Sequence, residues 1–78
     1  MPRITPVHWK VLDRIFKEYG YKFVSKKGSH RKYKKPGRKR PVIIPEHSKD
    51  VRVEIIMDNL ETACMSREEY FELLDRCK

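Results

Sequence analysis

Hydrophobic and polar positions change period several times along this chain. From Val7 to Tyr19 the apolar residues Val7, Val11, Leu12, Ile15, Phe16 and Tyr19 recur at helical spacing, with Trp9 beside the centre of the stripe. Thr5-Pro6 reads as the start signal, with threonine as N-cap and proline at the first helical position. Gly20 is suited to ending the helix, because glycine adopts a left-handed backbone at least cost. The period then shortens. Tyr21 to Ser25, His30 to Lys34 and Arg40 to Pro45 are β-prone, separated by Lys26-Lys27-Gly28-Ser29 and by a loop with a Pro36-Gly37 turn signal. In the middle segment His30, Lys32 and Lys34 share one face, opposite Arg31 and Tyr33. If Tyr33 faces the helices, the histidine and both lysines project to solvent.

Helical spacing returns near Asp50, where Val53, Ile56, Met57, Leu60 and Cys64 form an apolar stripe beside Glu54, Asp58 and Glu61. Ser66-Arg67-Glu68-Glu69 fits a capping box, and Tyr70, Phe71, Leu73 and Leu74 follow it in a short last helix. The order helix, strand, strand, strand, helix, helix predicts an α+β fold. Its three-stranded antiparallel sheet would carry helices on one face and leave the other open.

At 78 residues the chain predicts one domain, residues 1–78, with a C-terminal helical extension at about 66–78. A core this small makes a shallow binding face easier to build than a deep pocket. Charge sharpens the picture. Up to Asp50 fifteen Lys and Arg face four acids, whereas from Val51 onward four basic residues face seven acids. Ten of the basic residues fall between Lys22 and Arg40, where there is no acid at all. Such a ribbon attracts phosphate through counterion release, which points to nucleic acid and leaves the C-terminal part for packing or partner contact. Cys64 and Cys77 lack the paired spacing of zinc sites and read as reduced thiols of a cytoplasmic protein. The first residues, Met1 to Pro6, lack the apolar run of a secretion signal, and no stretch is long and apolar enough to span a bilayer.

The run Gly20-Tyr21-x-Phe23-Val24-Ser25-x-Lys27-Gly28-Ser29-His30, followed by Val42-Ile43-Ile44-Pro45-x-His47 and then Lys49-Asp50, resembles the HicA toxins of toxin–antitoxin pairs. The resemblance extends from the first helix to about Ser66. It implies a double-stranded-RNA-binding-like fold, cleavage of mRNA, and neutralisation by a HicB antitoxin. It also implies that His30 is the catalytic histidine and that Gly28 shapes the turn before it. Four features depart from the family pattern. Arg31 stands where a second histidine is frequent, Glu54-Ile55 where Gly-Thr is common, and Cys64 where a glycine is usual. Ser66 to Lys78 reaches beyond the shortest members.

The chemistry also follows from the residues alone. RNA carries a 2′-hydroxyl beside each phosphate, so a base that removes its proton turns the substrate's own oxygen into the nucleophile. Histidine can carry or lack a proton near neutral pH, and general-base help of this kind is worth about 10² to 10⁴-fold. Lys26, Lys27, Arg31 and Lys32 stand nearest in sequence to stabilise charge on the phosphate, with Lys34, Lys35, Arg38, Lys39 and Arg40 extending the RNA-binding surface. Ser29 orients the imidazole or the phosphate, or is simple turn chemistry. His47 fits a second acid–base group, a phosphate ligand or a structural loop residue. Tyr21 and Tyr33 are expected to pack in the core, and His8 to lie at the surface. No acidic cluster is present to hold Mg²⁺, so a metal-independent transesterification with no cofactor is expected. Two other classes fit the same composition. One is a non-catalytic module holding double-stranded RNA by shape and charge; the other is a protein whose basic strip docks an acidic partner.

Overall fold

The computed structural model describes residues 3–77. Met1 and Pro2 of the N-terminal segment, and Lys78 of the expected C-terminal helix, lie outside the described residues. The elements are α1 (Trp9–Glu18), β1 (Lys22–Lys27), β2 (His30–Lys34), β3 (Val42–Pro45), α2 (Val53–Ala63) and α3 (Arg67–Cys77). The strands form an antiparallel sheet in the order β1-β2-β3, so the fold is α+β with the order α-β-β-β-α-α. α1 and α2 cover one sheet face, and α3 packs on α1. Leu12, Phe16, Tyr33, Val42, Ile44 and Ile56 form the fully buried centre between these layers. Tyr21 and Tyr33 are both core residues, Tyr21 packing edge-on against Phe16 with centroids 5.7 Å apart.

Helix α1 begins later than Thr5-Pro6 predicts. Val7 instead forms a β-bridge with Val51, whose N–H donates to the Val7 carbonyl at 2.7 Å, and Ile4 is buried. A segment drawn out to make that bridge cannot turn helical at Thr5. The N-cap is His8, whose Nδ1 accepts from the Lys10 N–H at 3.2 Å, which gives this surface histidine a structural task. The same bridge holds Val51 extended and delays α2 from Asp50 to Val53. The end of α1 follows expectation. Gly20 has φ 105°, with the Gly20 N–H on the Lys17 carbonyl and the Tyr21 N–H on the Phe16 carbonyl, a Schellman closure.

β1 runs on to Lys27, beyond Ser25, so the β1–β2 turn shrinks to Gly28-Ser29. Gly28, at φ 59°, occupies the first position of this two-residue turn, where a positive φ favours glycine. β3 starts at Val42 and leaves Arg40 in the loop. The capping box of α3 forms as expected: Glu69 N–H donates to Ser66 Oγ at 3.1 Å, and Ser66 N–H to Glu69 Oε1 at 2.9 Å.

Candidate nucleic-acid interface

A β-bulge decides which basic residues face solvent. Phe23 pairs with Tyr33, but Ser25 pairs with Lys32, so Val24 is an extra residue in β1. An uninterrupted strand would put Lys27 on the face of Phe23. The inserted residue exchanges the two faces beyond it, so Lys27 pairs with His30 on the open side while Lys26 pairs with Arg31 on the helix side. The open face therefore carries Lys27 and His30 in one row, with the buried Pro45 beside them, then Ser25, Lys32 and Ile43, then Lys22 and Lys34.

His30 is exposed at the first position of β2, directly after the Gly28-Ser29 turn. Lys22, Lys27, Lys32 and Lys34 have no ion-pair partner among the described residues. Lys22 stands directly opposite Lys34 across the strands, an arrangement that destabilises a sheet unless something anionic lies over it. Lys39 and Arg40 are likewise exposed and unpaired in the β2–β3 loop.

Four of the expected phosphate ligands are occupied elsewhere. Arg31 lies between the Trp9 and Phe23 rings, 4.7 and 4.3 Å from their centroids. Its Nε donates to the Tyr33 hydroxyl at 3.0 Å, its Nη1 to Glu46 Oε1 at 2.8 Å, and its Nη2 sits 4.0 Å from Asp13. Lys26 pairs with the other oxygen of Glu46. These two cations, led by Lys26, hold the Glu46 carboxyl below the usual carboxylate range. Lys35 places its ammonium 4.5 Å from the Tyr19 ring, and Arg38 donates to Cys64 Sγ at 3.2 Å. Burial, and then the hydrogen bond it donates to Asp13, push the Tyr33 phenol up to about 12.

Ser29 contributes its carbonyl, which accepts from the Glu46 N–H and ties the turn before His30 to the end of β3. His47 is exposed one residue further, beside a shallow cleft lined by Pro45, Lys49, Asp50, Arg52 and Ile55. The Gly-Ser-His and Pro-x-His segments thus meet at one end of the sheet. Among the described residues no group of three or more His, Cys, Asp or Glu side chains is placed to hold a metal ion. Glu46, Asp13 and Trp9, to which the sequence assigns no functional part, complete the arrangement around Arg31. One signal was available: Glu46 is the only acid between Glu18 and Asp50.

Fold and site together define a small α+β protein with a basic open sheet face and an exposed histidine at one end of it. The family model described as "HicA toxin of bacterial toxin-antitoxin" matches residues 9–63, and the chain belongs to that family of toxin–antitoxin toxins. The match spans α1 through α2, so α3 lies beyond it. No curated protein matches the chain.

Proposed function

We propose that this toxin is a metal-independent endoribonuclease that cleaves mRNA in the cytoplasm, with His30 as general base, and that a HicB-like antitoxin neutralises it. An imidazole nitrogen of His30 takes the proton of a ribose 2′-hydroxyl. The freed oxygen attacks the adjacent phosphorus, the bond from phosphorus to the 5′ oxygen breaks, and that oxygen takes a proton from water, whose hydroxide takes the proton held by His30 and restores the base. The products are a 2′,3′-cyclic phosphate and a 5′-hydroxyl end. Lys27 and Lys32 offset charge as it builds on the phosphate, while Lys22, Lys34, Lys39 and Arg40 hold flanking phosphates.

The observation that carries this reading is the placement of an exposed histidine in the same sheet face as four lysines that have no ion-pair partner among the described residues. A cross-strand pair of like charges lowers stability, and a polyanionic substrate compensates it on binding. The test mixes purified protein and His30→Ala with RNA in the presence of chelator. Parent protein should leave cyclic-phosphate ends, and the variant should be slower by about 10² to 10⁴-fold. Equal rates would end the proposal. Binding by both proteins without cleavage would instead identify a double-stranded-RNA-binding module.

A further inference from the structure

We infer that Glu46 is a positioning residue for His30, a clasp beneath the sheet that fixes the backbone on which the imidazole stands. The inference rests on the nuclease reading for its kinetic consequence. Glu46 touches the chain on both sides of His30. Its N–H bonds to the carbonyl of Ser29, the residue before, and its Oε1 accepts from Arg31, the residue after. Its Oε2 accepts from Lys26, the neighbour of the Lys27 that pairs with His30. One residue at the end of β3 therefore joins all three strands around the histidine, without contributing to the open face.

The clasp is itself held from behind. Arg31 cannot swing away, because Trp9 and Phe23 flank its guanidinium and the Tyr33 hydroxyl accepts from its Nε. Tyr33 donates in turn to Asp13 of α1, whose other oxygen pairs with Lys17 at 3.1 Å. A relay of paired groups thus runs from the middle of α1 through the sheet to the turn that bears His30. General-base catalysis depends on a near-attack geometry, and a misplacement of about 1 Å can cost on the order of 10²-fold in rate. A two-residue turn at the free end of a hairpin would fray without such an anchor.

The experiment compares parent, Glu46→Gln, Glu46→Ala, Arg31→Lys and His30→Ala. Steady-state RNA cleavage is measured alongside amide exchange at residue 46, well below each melting temperature. Glu46→Ala should lower kcat by about 10- to 100-fold, while KM changes by less than about threefold because the clasp lies off the binding face. Glu46→Gln, which keeps an acceptor for Arg31 but loses the charge holding Lys26, should lose less. Exchange at residue 46 should quicken by about tenfold or more in Glu46→Ala and in Arg31→Lys. An unchanged kcat, a rise confined to KM, or unaltered exchange would overturn the clasp. If His30→Ala cut as fast as the parent, the nuclease reading would fall, and the exchange measurement alone would then decide the clasp.

Discussion

Two residues show how local backbone geometry constrains side-chain choice. At Gly20 the backbone stands at φ 105°, so the position needs glycine for its conformation, and an added methyl group would also press on Lys35 Cε at 3.1 Å. Lys35 passes beside Gly20 on its way to lie across Tyr19. Cys64 is the opposite case. It caps α2 at φ 54°, the described non-glycine residue with positive φ, and the Met65 N–H bonds the Leu60 carbonyl behind it. A left-handed conformation costs a residue with a Cβ about 1–2 kcal/mol, part of which glycine returns through its more flexible unfolded chain. Cys64→Gly should therefore stabilise the fold by about 0.5–1 kcal/mol, read as a higher urea midpoint at constant m-value. In the sequence Cys64 read as the last member of the apolar stripe and as a departure from a usual glycine, whereas it is the exposed left-handed cap of α2. The task of Arg31 was not legible there, because its partners Asp13 and Glu46 lie 18 and 15 residues away along the chain.

Most elements were legible from local signals. The alternation in β2 placed Tyr33 inward and His30 outward, and the Ser66–Glu69 pattern marked the start of α3. The start of α1 was misread because the bridge between Val7 and Val51 outweighs a Thr-Pro cap. The bulge at Val24 carries no sequence signature of its own, so the facing of Lys26 and Lys27 could not be read from alternation. The capping box makes a prediction about acid. The Ser66 N–H, and next the Tyr19 hydroxyl, hold the Glu69 carboxyl below the usual carboxylate range. A depressed folded-state value means that its stabilisation is present above the ordinary glutamate value and fades as pH falls through the lowered one. Glu69→Gln should thus melt below the parent at pH 7, and the two curves should converge in acid.

At the scale of the molecule, the core is unusual in its phenols. Tyr33 and Tyr70 are fully buried, and burial is the leading cause that pushes each up to about 12, while Tyr19 and Tyr21 are raised as well. In the unfolded chain tyrosines ionise near 10. Between the two values the folded state holds more protons than the unfolded state, so stability must fall as pH rises from about 10 toward 12. A titration followed at 295 nm and by circular dichroism should show the buried phenols ionising together with cooperative unfolding. Separate smooth ionisation of all four tyrosines in a protein still folded at pH 12 would contradict this packing. The layer order was legible because each layer is written into its own segment. The convergence of Lys26, Arg31 and Glu46 was not, since it exists only once three distant segments have met.

Val24, half exposed in the bulge, has a consequence beyond the facing of Lys27. β1 is an outer strand of the sheet, with one row of amides and carbonyls that no neighbouring strand takes up among the described residues. Such a row ordinarily invites another copy to zip on. The supernumerary residue puts its rhythm out of step, and lysines on either side repel a like-charged intruder. A bulged, lysine-flanked border of this kind is a poor template for a further strand.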